Sequence, residues 1–148
     1  MEGSKFAISE MRKNGHGVVT NISSNWGIVG AATSAAYCAS KAGVIMLTKA
    51  MAIDHAGDGI VANCICPGDV DSAMIQRALE DYPNRETRAR NIGRLISPDD
   101  IAHAILYLVS DEAAMTTGTA FIIDNGATAG EGPQLLPSRK PRVNSNEE

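Results

Sequence analysis

The chain has 148 residues, is 44% hydrophobic but only 4% aromatic, and carries a net charge of −4. That length and apolar content allow one domain with a core of aliphatic side chains and exclude global disorder. The acidic balance provides no broad nucleic-acid face, so no nucleic-acid partner is expected.

Met1 to Asn14 carries charges throughout and no apolar h-region, so a signal peptide is not expected. Within it, Phe6 to Lys13 reads as a short helix with Phe6, Ile8 and Met11 as apolar contacts. Asn14-Gly15-His16-Gly17 breaks that helix, and the β-branched run Val18 to Ile22 follows as a strand. Ser23 to Thr33 is a loop rich in Ser and Gly.

Ser34 to His55 is the longest helical stretch, dense in Ala and ended by His55-Ala56-Gly57, a basic last turn with a glycine stop. Ile60 to Cys66 is a second apolar strand, halted by Pro67-Gly68. Ser72 to Arg90 is polar, helical in part and interrupted by Pro83. Ser97-Pro98-Asp99-Asp100 opens a helix running to about Val109: a Ser cap, Pro at the first helical position, then acids in the first turn. Thr119 to Ile123 is a third strand, closed by Asn125-Gly126.

Residues 1–129 are expected to form one domain and residues 130–148 a flexible tail, because Pro133, Pro137 and Pro141 stand there among charges with few apolar residues. The Arg139-Lys140-Pro141-Arg142 cluster reads as solvated charge. No apolar run approaches the ~20 residues of a membrane span, so a soluble, cytoplasmic protein with no membrane partner is expected. Cys38, Cys64 and Cys66 are odd in number and read as reduced core thiols. Cys64 and Cys66 share a strand face but have no matching His or Cys pair, so no metal site is expected.

The order strand, helix, strand, helix, strand, with strands apolar along their length, predicts an α/β fold with a parallel sheet covered on both faces. Tyr37 and Lys41, at i and i+4, share a helix face. A phenol titrates near 10, too high for proton transfer at neutral pH, and an ammonium beside it favours the phenolate. A tyrosine so placed can give a proton to a carbonyl oxygen or take one from an alcohol. Ser23 and Ser24 follow the first strand at its carboxyl end, where ligands gather in parallel sheets, so Ser24 and Tyr37 can converge on one oxygen. A Ser24–Lys41 hydrolase is disfavoured, since no Gly-x-Ser-x-Gly elbow surrounds Ser24 and position 38 is Cys.

Asn21-Ile22-Ser23-Ser24, the Ser24-to-Tyr37 spacing and Tyr37-Cys38-Ala39-Ser40-Lys41 resemble the active-site signature of the short-chain dehydrogenase/reductase family. Asn63-Cys64-Ile65-Cys66-Pro67-Gly68-Asp69-Val70-Asp71-Ser72 is similar to the family's segment after its sixth strand, and Arg94 to Asp124 to its last helix and strand. The resemblance implies the C-terminal portion of a Rossmann-like, doubly wound parallel sheet of about three strands with flanking helices. It implies a carbonyl/alcohol oxidoreductase using NAD or NADP on a small-molecule substrate, and a homo-oligomer. By the same resemblance the catalytic residues are Ser24 on the substrate oxygen, Tyr37 as acid and base, and Lys41, which lowers the Tyr37 pKa and binds the nicotinamide ribose. Pro67, Gly68, Val70 and Ser72 would join Tyr37 and Lys41 in binding the cofactor, and residues 73–96 would be the substrate segment.

The family's first strand and glycine-rich phosphate turn have no counterpart in this sequence, so the dinucleotide-binding N-terminal half is expected to be missing. Gly57-Asp58-Gly59-Ile60-Val61-Ala62 fits G-x-G-x-x-A only as a string, because it follows a helix and precedes a strand. The alternative expectation is therefore a catalytically inactive fragment serving as an oligomerisation or interaction module.

Overall fold

The structure, a computed structural model, describes residues 2–80 and 95–130. Helix α1 (Glu2–Asn14) leads into strand β1 (Gly17–Ile22), helix α2 (Ala35–Asp54) and strand β2 (Ile60–Pro67). Helix α3 (Ala73–Glu80), helix α4 (Pro98–Leu108) and strand β3 (Ala120–Ile123) follow. The three strands form one parallel sheet in the order β1-β2-β3. Gly17 stands opposite Ile60 at one end of the first pair and Ile22 opposite Ile65 at the other. Cys64 pairs with Ala120, and Pro67 with Ile123. The fold is thus the expected α/β class with a parallel sheet. The part of the substrate segment at 81–94, including Pro83, and the tail from residue 131 lie outside the described residues.

β2 is the hub of the core. Ile45 of α2 packs on Cys64 and Cys66, and Met51 and Ala52 pack on Ala62 together with Ile8 of α1 and Val19 of β1. Strand alternation aims Ile65 away from that face, yet it is wholly buried, so β2 is covered on both sides. Burying one such side chain is worth about 1.5–3 kcal/mol. Asn63 is equally buried, and both ends of its amide are used: Nδ2 donates to the Thr116 carbonyl (2.6 Å) and Oδ1 accepts from Thr119 N–H (3.2 Å). This side chain fixes the approach to β3.

Helix ends follow the chemistry of the sequence, with two differences. At α4 the Ser97 hydroxyl accepts from Asp99 N–H (3.2 Å) and the Asp100 carboxylate from Ser97 N–H (3.1 Å), a reciprocal cap worth about 1 kcal/mol. α2 ends one residue earlier than its sequence suggests, and the chain makes a 3₁₀ turn over Ala56–Asp58 before stopping at Gly59, not Gly57. Gly59 has φ +71°, and a side chain there would run into the Gly15 carbonyl, so both conformation and space demand glycine. In α1, Phe6 is 71% exposed; Ile8 alone of the expected contacts joins the buried cluster, while Met11 lies over Gly17.

The end of the sheet away from the strand tips is tied by charge. Asp58 Oδ2 meets Arg12 Nε of α1 at 3.0 Å and His55 Nδ1 at 3.0 Å. The His55 hydrogen bond, helped by the Arg12 guanidinium, holds the Asp58 carboxyl below the usual carboxylate range.

Candidate functional site

The carboxyl ends of β1 and β2 face the start of α2, and each of the three brings a polar group to the same place. β1 continues past Ile22 through the Ser23 N–H, which donates to the Ile65 carbonyl (2.8 Å). Ser23 then turns its hydroxyl onto the Lys41 carbonyl of α2 (2.7 Å). Its proton is thereby committed to tying strand to helix. A second tie runs deeper, from Asn21 Nδ2 to Thr48 Oγ1 (2.9 Å), whose own hydroxyl donates to the Val44 carbonyl (2.8 Å).

Ser24 behaves differently from its neighbour. Its backbone is extended (φ −160°, ψ 156°) and it caps a single 3₁₀ turn, Asn25–Gly27. The Ser24 hydroxyl accepts from Trp26 N–H (3.2 Å) and donates only a long bond to Asn25 Oδ1 (3.3 Å). Its proton is the more readily redirected to a ligand oxygen. The turn lies directly on α2: a Cβ on Gly27 would stand 2.8 Å from the Lys41 carbonyl carbon and 2.9 Å from its oxygen. Glycine is required there by contact, not by dihedral.

α2 sets Tyr37 in its first turn and Lys41 one turn on, as the i, i+4 spacing demands. Lys41 Nζ lies 5.6 Å from the centroid of the Tyr37 ring and 3.4 Å from the Ile22 carbonyl. The ring of Trp26 meets that of Tyr37 edge-on, with centroids 5.9 Å apart.

These groups border a cavity of about 480 Å³, within the usual range of small-molecule sites. Ser24, Tyr37, Pro67, Gly68, Val70 and Ser72, all candidates from the sequence, line it together; Lys41 stands beside Tyr37 and is not in the lining. The loop from Pro67 to Ser72 is shaped by its neighbours. Gly68 N–H donates to the Ile123 carbonyl (2.9 Å), and Asp71 N–H and Ile96 N–H bond across to Ile96 and Asp69, bringing Val70 beside Ile96. A Cβ on Gly68 would be 3.0 Å from Asp124, which caps its own turn through Thr128.

Trp26 and Asn25 line the cavity and were not among the sequence candidates. The one available signal was a lone tryptophan two residues after Ser24. Beneath the site, Cys66 stays a protonated thiol, pushed up by its hydrogen bond to Cys64 and by burial. Among the described residues no three His, Cys, Asp or Glu side chains gather as metal ligands. No helix among them is long and apolar enough to cross a membrane.

A family model described as "Enoyl-(Acyl carrier protein) reductase" matches residues 1–128. The chain is 43% identical over 132 residues to 2-(S)-hydroxypropyl-CoM dehydrogenase 3 of Xanthobacter autotrophicus, covering 85% of this chain and 52% of that protein. A solved gluconate 5-dehydrogenase from Burkholderia cenocepacia, in complex with NADP and tartrate, superposes with a TM-score of 0.76 at 31% identity, over 84% of this chain and 49% of that one. A 4-hydroxyisoleucine dehydrogenase complexed with NADH superposes with a TM-score of 0.79 at 31% identity, over 86% and 54%. The chain therefore spans about half the length of the relatives it matches.

Proposed function

The chain belongs to the short-chain dehydrogenase/reductase family, and from that premise we propose that its cavity is the substrate side of an NAD(P)-dependent oxidoreductase that interconverts a carbonyl and an alcohol. The observation that carries this reading is that Ser24 and Tyr37 border one cavity while Lys41 Nζ sits 5.6 Å from the Tyr37 ring. The solved relatives bound to NADP and to NADH support the cofactor class.

The residues present fit the nicotinamide end of such a cofactor. Pro67, Gly68 and Val70 line the cavity without a charged side chain, which suits a flat ring. Ser72 belongs to the same lining, and the Tyr37 hydroxyl and Lys41 ammonium are suited to the ribose hydroxyls. When bound, NAD(P) supplies or accepts the hydride.

The protein handles the oxygen and the proton. The Ser24 hydroxyl leaves its long bond to Asn25 and donates to the substrate oxygen, holding it beside Tyr37. In reduction the Tyr37 hydroxyl gives its proton to that oxygen as the carbonyl becomes an alcohol. In oxidation the Tyr37 oxygen takes the proton back. Lys41 places a positive charge beside the ring on which negative charge develops.

Titration of NADH and NADPH into the purified chain, read by nicotinamide fluorescence, tests the reading. Saturable binding at micromolar cofactor would support it. Absence of binding up to millimolar cofactor would overturn it.

A second reading, a non-catalytic interaction module, is favoured by one observation. Among the described residues β1 pairs with β2 alone, and its other edge offers backbone donors and acceptors to a further strand. Protein that self-associates, or co-purifies with a full-length relative, and shows no cofactor binding would favour that reading over the first.

A further inference from the structure

We infer that Asn25 is a specificity-determining residue: its amide oxygen accepts from a hydroxyl on the carbon next to the reacting one, so the site favours a vicinal diol or its α-hydroxy ketone over an alcohol with no neighbouring oxygen. The inference rests on the oxidoreductase reading above and adds the substrate class to it.

Asn25 is 8% exposed, yet it lines the cavity beside Ser24 and Trp26. Its place is set by the main chain. Asn25 opens the 3₁₀ turn that Ser24 caps, and its backbone carbonyl accepts from Ile28 N–H (2.9 Å) and Val29 N–H (3.1 Å). The amide is therefore held next to Ser24 by a turn that does not use the side chain.

The Asn25 Oδ1 accepts the Ser24 hydroxyl at 3.3 Å. That bond does not outlast substrate binding. The Ser24 hydroxyl has one proton, and giving it to the substrate oxygen withdraws it from Asn25. A largely buried amide oxygen then loses this donor, and a buried acceptor left without one is costly. A second hydroxyl on the substrate restores the bond.

Spacing selects where that hydroxyl must be. The Ser24 and Asn25 oxygens are 3.3 Å apart, so they match two substrate oxygens that are close neighbours. Gauche oxygens on adjacent carbons stand ~2.8 Å apart, the usual O–H···O length. A hydroxyl across a six-membered ring lies well beyond that spacing while the reacting oxygen stays at Ser24 and Tyr37.

Trp26, the chain's single tryptophan, adjoins Asn25 in the lining, so its emission reads occupancy without turnover. cis-1,2-Cyclohexanediol, cis-1,4-cyclohexanediol and cyclohexanol are titrated into the whole chain with NADH, which cannot oxidise them. NADH binding is read separately by nicotinamide fluorescence. The two diols are isomers, so the position of the second hydroxyl decides. The 1,2-diol is expected to saturate at about three- to tenfold lower concentration than the other two, the worth of one hydrogen bond. Asn25→Leu, close in shape but without an acceptor, is expected to remove that preference. Asn25→Asp, which keeps an acceptor oxygen, is expected to retain it. A 1,2-diol that binds the wild type no better than the 1,4-diol, or a preference that survives Asn25→Leu, overturns the inference. Saturable NADH binding with no Trp26 response to the 1,2-diol overturns it while leaving the oxidoreductase reading in place. The 1,2-diol preference without NADH binding supports the Asn25 contact and overturns that reading instead.

Discussion

The rings of Trp26 and Tyr37 meet at 89°, their centroids 5.9 Å apart. An edge-on aromatic pair contributes about 0.5–1.5 kcal/mol beyond burial, and here it restrains the residue assigned to proton transfer. Trp26→Ala is expected to lower kcat about 2–10-fold through the lost pair. Trp26→Phe should recover most of kcat. Steady-state kinetics on all three proteins, with circular dichroism as the folding control, checks this.

Ser23 and Ser24 are adjacent but are expected to differ in their effect on turnover. Ser23→Ala removes the bond to the Lys41 carbonyl and should cost about 1 kcal/mol of stability with a modest effect on turnover. Ser24→Ala also loses a cap, on the Trp26 N–H, worth about 1 kcal/mol, but should cut kcat about 10²–10³-fold, the usual worth of a donor to the reacting oxygen. Tyr37→Phe should cut it about 10²–10⁴-fold. Denaturant titration beside kinetics separates the two serines; equal effects in both measurements would refute the division of labour.

Gly27→Ala is expected to destabilise the fold by about 1–3 kcal/mol, because its Cβ would press on the Lys41 peptide and neither backbone can yield without moving Ser24 or α2. Thermal unfolding reads the loss, and cofactor affinity should fall with it.

Asp58 predicts a pH dependence remote from the site. Its carboxyl titrates lower in the folded chain than in the unfolded one, where about 3.9 is normal, because of His55 and then Arg12. The stabilisation is therefore complete above the unfolded value and disappears as pH falls through the lower folded value. Asp58→Asn should cost stability at pH 7, cost less at about pH 3, and lose part of its difference in high salt. Urea titrations at the two pH values measure this.

Much of this architecture was legible in the residues. Val18 to Ile22 and Ile60 to Cys66 are short β-branched and apolar runs of strand type, and the structure extends them by one residue each, to Gly17 and to Pro67. The Ser97-Pro98-Asp99-Asp100 start is local chemistry, readable without tertiary context. Tyr37 and Lys41 were legible as neighbours because helix geometry alone sets their spacing. Trp26 was not, because it sits in a Ser- and Gly-rich stretch with no period. Its position depends on Gly27 lying against the Lys41 backbone, a contact between segments that the sequence does not join. Gly59 was missed as the helix stop for a related reason: its demand for glycine comes from Gly15, on the far side of β1.

The pairing of β2 with both other strands has a consequence for how the chain reaches this state. Gly17 finds Ile60 across about 40 residues, and Cys64 finds Ala120 across about 56, so neither ladder can close by local zippering. Each closure costs chain entropy before any hydrogen bond repays it. The helices can form early, on their own sequence, but the sheet must wait for a collision that brings β2 to a partner. β2 is then the natural seat of the folding nucleus, and the apolar strands remain open to other chains until it is built.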